Sequence, residues 1–542
     1  MTSRRDLLQL FLGAPLALAA CKRSGSTPRI EGELVDEELL RGHRVRDEGR
    51  VPLLEPSTDE PLYDAIVIGG GVAGLAARER MGREGLSVLL VEADSVVGGT
   101  AKGGQNAGGA HPWGAHYVTA PLVEAKPIVR LLEELGVIVG RSEDGRDVVL
   151  AEEAVVRAPE ERLFHLGRWE EGLYPRAGAS AEDLAELERF RAHVRLLAAR
   201  RDAQGRRAFI APLHYASRDA EVLELDRVTM GTWLDREGYR SARLRWLVDY
   251  ACRDDFGLRV EHTSAWAALF YFAARSGPDG EPRAVIPWPE GNARLVTHLA
   301  RKGRGSIEHG VLCRRVGEVG EECRVVVEDR QGSRRTRRAR RVVLAVPAYV
   351  ARRMVDGLAE RDAGFEAPSY GSWVVANLVV DPAFARQEAP LAWDNVLHRS
   401  PSLGYVNARH QVDERTPALA LTHYYALCDT DPKAVREKLL AVDHTSWSEV
   451  VLSDLEAAHP RIREHVRRID VLRWGHAMVR PVPGLRARCA EASAARPFGR
   501  VHVAHSELSG VALFEEAYVH GLRAGEEVLA ALGRHAPSDL DA

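Results

Sequence analysis

A glycine-rich run between two apolar segments contains the residues whose types and spacing most directly indicate chemistry. Residues 63–68 predict a buried parallel strand that leads into Gly69, Gly71 and Gly74, spaced as Gly-x-Gly-x-x-Gly. A helical pattern follows, and a second apolar strand ends at Glu92. This order of strand, glycines, helix, strand and acid is the fingerprint of a dinucleotide-binding site.

The residues of this fingerprint have separate physical roles. Gly69 permits the tight turn, Gly71 lets a pyrophosphate approach the backbone, and Gly74 lets the helix pack closely on the strand. The N-terminus of the helix offers free N–H groups and a positive dipole end to the phosphates. Glu92 can accept both ribose hydroxyls and would repel a 2′-phosphate, so NADP is disfavoured. The predicted nucleotide contacts of this region are Gly69, Gly71, Val72, Ala73, Gly74, Glu92 and Ala93.

Length and composition limit the classes of protein that can carry this site. The 542 residues are enough for two or three domains. The balance of 45% hydrophobic and 28% charged residues excludes a collagen, a disordered polymer and a polytopic membrane protein. A formal charge of −4 gives no electrostatic reason to expect nucleic acid as a partner. The six cysteines form no Cys-x-x-Cys pair, so we expect no metal site.

The N-terminus has the pattern of an export signal. Arg4 and Arg5 precede an apolar run over residues 7–20, which is shorter than the roughly 20 residues that span a bilayer. Paired arginines predict the twin-arginine route, which carries folded proteins to the periplasm and cell envelope. Residues 18–21 have the form of a bacterial lipoprotein cleavage box, in which Cys21 would be acylated and anchor the protein. An ordinary cleaved signal is the alternative.

Two polar stretches show no predicted chemistry. Residues 22–62 predict a tether followed by a charged, short-helical stretch. The arginine-rich run at residues 333–341 lies between two apolar strands and predicts a solvated hairpin tip, with a basic docking surface as the alternative.

Motifs at both ends of the chain add a family resemblance. Gly98 and Gly99 follow Glu92 closely, as in flavoenzymes where a second glycine pair meets the flavin side of the pyrophosphate. Near the C-terminus a strand leads into residues 504–507 (Ala-His-Ser-Glu), and a helix over residues 514–525 follows. This ending resembles the closing signature of the flavin-containing amine oxidase superfamily. A further resemblance, on residues 98–102 with Pro112 and Tyr117, is to bacterial spermidine dehydrogenases exported through the twin-arginine route.

The resemblance implies FAD as the cofactor and adds residues to its site. In this family the carboxylate of the C-terminal turn meets the ribityl–pyrophosphate region, and the helix after it points its N-terminus at the flavin. A strand residue at the position of Val316 faces adenine with its backbone. The implied contacts are Gly98, Gly99, Thr100, Val316, Ser506 and Glu507.

The sequence departs from the family pattern at the substrate side. Thr100 replaces the family's arginine, and the strand over residues 373–381 lacks the lysine that holds a water at flavin N5. The paired tyrosines of the amine-aligning cage are also absent where expected. We therefore expect Asn377, the uncharged polar residue of that strand, and His505, which takes a glycine position beside the flavin, to position water or substrate.

Paired acids provide a further candidate for substrate binding. Asp254 and Asp255 interrupt a helical region rich in aromatic residues. They could bind a cationic substrate, but a helix cap or a salt bridge to an arginine are alternatives.

Together these features predict an α/β fold with two discontinuous domains. An FAD/NAD(P)-binding Rossmann-like domain would comprise residues 63–118, 290–350 and 488–535. A mixed α+β substrate domain would comprise residues 119–289 and 351–487, with the active site at the interface.

The predicted function is FAD-dependent oxidation of a C–H bond next to nitrogen in an amine or polyamine, with hydride delivered to flavin N5. One alternative is a desaturase or isomerase of an apolar substrate, which an apolar tunnel without acidic residues would favour. Another is a non-catalytic flavin-binding surface lipoprotein. The predicted partners are a small-molecule substrate, an electron acceptor (oxygen or a redox partner), and the membrane only through a lipid anchor at Cys21.

Overall fold

The structure is a computed structural model that describes residues 30–277, 281–361, 368–384, 391–412, 418–491 and 496–541. The predicted signal over residues 1–21, including Cys21, lies outside the described residues. Among the helices of the described ranges, none is both long enough and apolar enough to cross a membrane.

The strands are β1 (Leu62–Ile68), β2 (Val88–Val91), β3 (Gly103–Asn106), β4 (Gly109–Pro112), β5 (Tyr117–Thr119), β6 (Ile138–Arg141), β7 (Val148–Leu150), β8 (Glu161–His165), β9 (Arg168–Glu171), β10 (Val285–Pro287), β11 (Ser306–Glu308), β12 (Leu312–Val319), β13 (Glu322–Glu328), β14 (Arg334–Leu344), β15 (Tyr370–Val380), β16 (Asp394–Leu397), β17 (Gly404–Asn407), β18 (Leu419–Leu427), β19 (Val466–Val479) and β20 (Val501–Val503).

The α-helices are α1 (Glu37–Arg41), α2 (Arg44–Asp47), α3 (Val72–Arg83), α4 (Lys126–Glu134), α5 (Ala181–Ala199), α6 (Ala220–Glu224), α7 (Met230–Arg236), α8 (Ala242–Phe256), α9 (Ala265–Ala273), α10 (Ala293–Lys302), α11 (Ala348–Met354), α12 (Leu358–Arg361), α13 (Pro432–Ala441), α14 (His444–Glu456), α15 (Ile462–His465), α16 (Leu485–Glu491) and α17 (Phe514–Ala531).

The first seven-stranded sheet carries the nucleotide fingerprint. Its order is β11-β2-β1-β14-β13-β12, with β20 parallel to the C-terminal end of β14. Strand β1 is parallel to β2 and β14, and Ala65, Ile66 and Val67 are fully buried. Alternate residues of β1 enter two different core clusters, one on each face of the sheet. This explains why the strand is apolar from Ala65 to Ile68, and the sheet confirms the predicted α/β class.

The core of this layer extends past the predicted boundary at residue 118. Helix α4 and the hairpin β6–β7 bury Ile128, Leu132 and Ile138 in the same cluster as helix α3. The amphipathic pattern of α4 places these side chains on one face, and that face packs against the nucleotide-binding core. Residues 119–154 therefore pack with the nucleotide-binding layer, although we assigned them to the substrate domain.

The second seven-stranded sheet has the order β19-β15-β18-β17-β16-β8-β9. Strand β15 lies between β19 and β18 and is antiparallel to both. Its alternate residues separate into two cores: Val374 and Ala376 pack on the side of α13 and α14, whereas Trp373 and Val375 face the other way. That second face is the one turned toward the glycine-rich layer. A helical cluster built from α5 to α9 completes the substrate side.

The segment predicted as a tether is folded where the structure describes it. Residues 31–35 form a parallel strand-like pairing along β19, with hydrogen bonds from Ile469 N to Glu31 O and from Val471 N to Glu33 O, both 2.9 Å. Helices α1 and α2 follow and pack against the first sheet, where Val45 is buried. The two short helices agree with the predicted short-helical stretch, but the described part of this segment is not a tether, because backbone pairing and burial hold it in place.

The arginine-rich run also differs from the prediction. It forms most of β14 instead of a hairpin tip, and the turn is confined to residues 329–333. Its guanidinium groups are paired with carboxylates, among them Arg337 with Glu60 and Arg338 with Glu322. A strand can carry this many arginines because most of them lie against an acidic residue of a neighbouring segment, and Arg341 donates instead to Ala531 O.

Candidate active site

A cavity of about 890 Å³ lies between the two sheets and is lined by residues of both. It begins at the glycine turn after β1 and ends among residues of β15, β18 and the helices α8 and α9. Such a cleft between domains is the usual place for a cofactor and its substrate.

The glycine turn forms the first wall of the cavity. Gly69 has a φ of +102°, and a Cβ there would lie 2.5 Å from the Ala345 carbonyl oxygen. At Gly74 a Cβ would lie 1.9 Å from the Gly69 carbonyl oxygen, so this glycine allows the helix to contact the turn. Gly71 lines the cavity, and a Cβ there would meet no atom within 4 Å. The space in front of Gly71 is therefore free for a ligand.

The N-terminus of α3 opens into the same space. Gly71 is the N-cap residue and provides no side chain to bond the first amides, while Val72 and Ala73 line the cavity. Free N–H groups at the start of a 12-residue helix form a site for phosphate. A pyrophosphate is the group that these residues fit.

Glu92 lies at the end of β2 and lines the cavity beside Ala93. Its Oε2 accepts a hydrogen bond from Gly70 N at 2.6 Å, and its Oε1 accepts one from Asp94 N at 2.7 Å. Burial raises the pKa of the Glu92 carboxyl, and the two amide hydrogen bonds oppose that rise. Each oxygen keeps acceptor capacity, so the carboxylate can bind ribose hydroxyls as predicted.

The second glycine pair joins the first one directly. Gly98 N donates to Gly70 O at 2.8 Å, and Gly98 and Gly99 both have positive φ, +129° and +56°. With Thr100 they line the cavity next to the fingerprint. The two loops separated in sequence therefore form one continuous backbone surface.

The C-terminal turn closes the other side of that surface. His505, Ser506 and Glu507 all line the cavity. Glu507 Oε1 accepts a hydrogen bond from Ala348 N at 2.6 Å, and its Oε2 accepts one from the Tyr370 hydroxyl. This carboxylate therefore connects the start of helix α11 with strand β15 of the second sheet.

These observations test whether FAD fits. The open space at Gly71, the free helix N-terminus, the carboxylate of Glu92 and the paired glycine loops all line one cavity and are the groups that an adenosine diphosphate moiety requires. The cavity continues past Thr100 and His505, where an isoalloxazine ring would have space. The residues present therefore fit the cofactor.

The model of the family described as flavin containing amine oxidoreductase matches residues 72–529. The chain belongs to this family. It is an FAD-dependent oxidoreductase, as the sequence motifs predicted.

Solved structures show the same fold at low sequence identity. Cyclohexylamine oxidase from Brevibacterium oxydans IH-35A is 19% identical, with a TM-score of 0.62 over 88% of this chain and 100% of that chain. A putrescine oxidase solved with putrescine bound is 17% identical, with a TM-score of 0.60 over 87% and 99%. A fatty acid isomerase from P. acnes that produces CLA is 16% identical, with a TM-score of 0.59 over 88% and 99%. No curated protein sequence matches this chain significantly.

Two of the predicted site residues of this amine oxidoreductase lie away from the cavity. Asn377 is fully buried, its amide donates to Pro112 O at 3.0 Å, and its oxygen accepts from the Thr422 hydroxyl at 2.7 Å. Asn377 lies on the same face of β15 as the cavity residues Trp373 and Val375, but these two hydrogen bonds hold it against Pro112 and Thr422, outside the cavity lining. The prediction that Asn377 positions water or substrate is wrong.

Val316 also needs correction. Its side chain is fully buried, and its backbone is engaged with Val325 of β13 and Val355. The cavity is lined instead by Val311, Leu312 and Cys313, at the start of β12.

His505 lies on the cavity as predicted, with its ring accepting a hydrogen bond from Glu507 N at 3.3 Å. A neighbouring aromatic group was not predicted as a unit: His476 stacks on Tyr349 with ring centroids 4.3 Å apart, and Tyr370 contacts both rings. Burial lowers the pKa of His476 to about 3, so this ring is neutral. The position of Tyr349, just past the carboxyl end of β14, is a signal that could have identified it.

The far end of the cavity is aromatic and acidic. His116 stacks on Tyr424 at 4.7 Å, and Tyr117 lies against His116 at 5.0 Å. Helix α8 brings two carboxylates to this end, and Arg275 binds one of them, Asp255, at 2.6 Å. The Arg275 guanidinium also lies over the Tyr271 ring, 4.1 Å from its centroid. Of the two roles considered for this acid pair, Asp255 takes the salt bridge to an arginine, and Asp254 faces the cavity.

Asp254 has more acidic neighbours than cationic ones. Glu161 and Asp394 are neighbours on the paired strands β8 and β16, and their charges act on Asp254. Burial raises the pKa of Glu161 to about 7, and burial with these neighbouring charges raises the pKa of Asp394 well above its ordinary value. Burial also raises the pKa of Glu515, a cavity residue at the start of α17, to about 7. This end of the cavity is therefore a place where a cation would be stabilised.

Proposed function

We propose that this amine oxidoreductase oxidises a diamine or polyamine at a C–H bond next to one nitrogen while carboxylates at the far end of the cavity hold a second ammonium group. The observation that carries the proposal is Asp254. It lines the cavity, and within the described residues its carboxylate forms no hydrogen bond or ion pair, whereas its neighbour Asp255 is bound to Arg275.

The charge balance around Asp254 supports a cationic ligand. Burial and the adjacent Asp255 raise the pKa of the Asp254 carboxyl, so its ionised form is costly in the empty cavity. An ammonium group would offset that cost through a charge-assisted hydrogen bond. The faces of the Tyr117 and Tyr424 rings can add cation–π attraction to the same group.

The other lining residues orient the substrate and exclude water. Trp373 and Val375 of β15 form an apolar wall between the glycine loops and the acidic end, which fits a methylene chain. When bound, FAD supplies the acceptor for the hydride removed from carbon. Burial lowers the pKa of His476 to about 3, so its neutral ring, stacked on Tyr349, adds an uncharged aromatic surface to the cavity.

The acidic end argues against the alternative of a desaturase or isomerase acting on an apolar substrate. Such a substrate would leave the Asp254 and Glu515 carboxyls buried without a partner, which is unfavourable. The likeness to a fatty acid isomerase shows the fold alone.

Anaerobic titration of the holoprotein with 1,4-diaminobutane and with butylamine tests the proposal, with the visible flavin absorbance as the readout. We expect the diamine to reduce the flavin at much lower concentration than the monoamine. In the Asp254→Asn variant the half-saturating concentration of the diamine should rise about 10–100-fold, equivalent to about 1.4–2.8 kcal/mol, while that of butylamine changes little.

Asp235→Asn is the matched control, because Asp235 is an exposed acid on α7 that pairs with Arg240 at the surface. This variant should titrate like the parent protein. An equal loss of both amines in Asp254→Asn would contradict the second ammonium site. Absence of flavin reduction by any amine would contradict amine oxidation and favour the apolar alternative.

We also propose that the protein is exported through the twin-arginine route and anchored by an acyl group on Cys21. The support is the sequence of residues 4–21 alone. Fractionation of cells that express the full chain tests it: the parent protein should sediment with membranes, and Cys21→Ser should move it to the soluble periplasmic fraction. A membrane-bound Cys21→Ser protein would contradict the anchor.

A further inference from the structure

An N-terminal segment outside the matched family region forms part of the cavity wall. The family model begins at residue 72. Residues of helices α1 and α2 and of the turn between them nevertheless line the same cavity as Glu92, Ala93 and Val311: Glu38, Leu39, Leu40, Gly42, His43, Val45 and Arg46. We refer to residues 30–60 as the N-terminal strap. We propose that the strap retains FAD by closing the adenosine end of its site.

Direct contacts connect the strap to the nucleotide-binding loops. The Arg41 guanidinium donates to Ala93 O at 2.6 Å and to Gly310 O at 3.1 Å. Ala93 follows the ribose-binding Glu92, and Gly310 precedes the cavity residue Val311. Both carbonyls lie at the ends of strands where the adenosine would be held, so Arg41 ties the strap to the rim of the cofactor site.

The strap is held at both of its ends. On the substrate side, Asp36 forms a buried ion pair with Arg473 of β19, with Oδ2 and Nε 2.7 Å apart. On the nucleotide side, Glu48 binds Arg314, whose side chain is fully buried, at 2.9 Å. The strap therefore bridges the two sheets, and its middle covers the cavity between them.

The arginines of β14 and of its neighbouring strand form a basic surface that pairs with the acidic residues of the strap. Arg334 pairs with Glu48, Arg337 with Glu60, and Thr336 donates to Leu54 O at 2.9 Å. On β13, Arg324 pairs with Glu55. This explains the arginine-rich run: opposite charges fix the strap to strands β13 and β14 of the first sheet.

Because the strap covers the adenosine end of the site, FAD can dissociate only after the strap has moved away from the first sheet. Val45 packs into the core beside Ile66 and Leu89, so moving the strap exposes apolar surface and breaks several ion pairs. Release of FAD should therefore be slow in the parent protein and faster when the strap is loosened.

The test is the rate at which the purified holoprotein releases FAD on dilution, measured by the rise of flavin fluorescence. Arg41→Ala should increase this rate at least tenfold, since it removes both bonds to the rim. Arg41→Lys, which can donate to only one carbonyl well, should give an intermediate rate. Asp59→Ala is the control, because Asp59 is an exposed strap residue that lies outside the cavity lining and forms no ion pair within the described residues, and its rate should match the parent.

The thermal unfolding midpoints of apoprotein and holoprotein separate cofactor retention from general stability. A retaining strap predicts that Arg41→Ala reduces the gain in midpoint that FAD provides. An unchanged release rate, with apoprotein and holoprotein destabilised equally, would overturn the proposal. Should Arg41→Ala fail to fold, Arg41→Lys decides, and a parent-like release rate in that variant would also overturn it. None of these readouts depends on amine oxidation.

Discussion

The two ends of the cavity are built in different ways. At the nucleotide end, the surface is backbone: Gly69, Gly71, Gly98 and Gly99 line the cavity, the start of α3 presents free N–H groups, and Gly71 leaves open space in front of it. At the substrate end, the surface consists of side chains, with Tyr117, Tyr424, Asp254 and Glu515 converging from separate elements.

This difference predicts at which cavity positions a member of the family tolerates a change of amino acid. A backbone surface depends on the absence of Cβ atoms, so a single methyl group alters it. A side-chain surface keeps its shape when one group is exchanged, but its charge and size change with each exchange. The loss of the family's lysine and tyrosine cage in this chain falls at the side-chain end, whereas the fingerprint at the backbone end is complete.

The largest effect should come from Gly74→Ala. A Cβ at this position would lie 1.9 Å from the Gly69 carbonyl oxygen, and neither the strand nor the helix can move away without breaking the sheet packing. We expect a loss of about 3 kcal/mol or more in the free energy of unfolding, together with loss of bound FAD. Chemical denaturation and the flavin content after purification measure both. A stable, yellow Gly74→Ala protein would contradict the role of close packing.

Gly71→Ala is the matched control for the same turn. Gly71 has a φ of −69° and a Cβ would meet no protein atom, so the apoprotein should unfold at the parent temperature. The added methyl group would occupy the space for pyrophosphate, and the dissociation constant for FAD should rise about 10–100-fold. Titration of apoprotein with FAD, followed by flavin fluorescence quenching, measures it. Parent-like affinity would place the pyrophosphate elsewhere.

A smaller effect should appear in the pH dependence of the substrate end. Burial raises the pKa of Glu161 and of Glu515 to about 7, so both carboxyls are partly protonated at pH 6 and mostly ionised at pH 8. A diammonium ligand favours the ionised forms. The KM for 1,4-diaminobutane should therefore fall roughly threefold to tenfold from pH 6 to pH 8.

The free energy of unfolding should fall as Glu161 and Glu515 ionise, whereas the affinity for the diamine rises. A carboxyl whose pKa is raised on folding contributes stability at low pH that is lost as the pH rises through about 7. The protein without substrate should be less thermally stable at pH 8 than at pH 6, and 1,4-diaminobutane should raise the unfolding midpoint more at pH 8. Glu515→Gln should weaken both trends. If butylamine and the diamine raised the unfolding midpoint with the same dependence on pH, the assignment of these carboxyls to a second ammonium site would be contradicted.

Much of the nucleotide end was predictable because its signals are local. The glycine spacing, the two apolar strands and Glu92 lie within 30 residues, and local spacing dictates the turn and the helix start. The substrate end was less predictable, because Asp254, Glu161, Asp394 and Glu515 come from four distant segments. Asn377 was singled out as the polar residue of its strand, but only the packing of β15 shows that its amide binds Pro112 O.

The amino-acid sequence determined the α/β class, the dinucleotide fingerprint and the membership of the flavin-containing amine oxidoreductase family, since these depend on short-range patterns and motif spacing. Only the tertiary structure decided where the polar N-terminal residues and the arginine-rich strand go. Each is a charged segment that would be solvated alone. They become ordered together because opposite charges pair along β14 and the buried Val45 packs into the core of the same sheet.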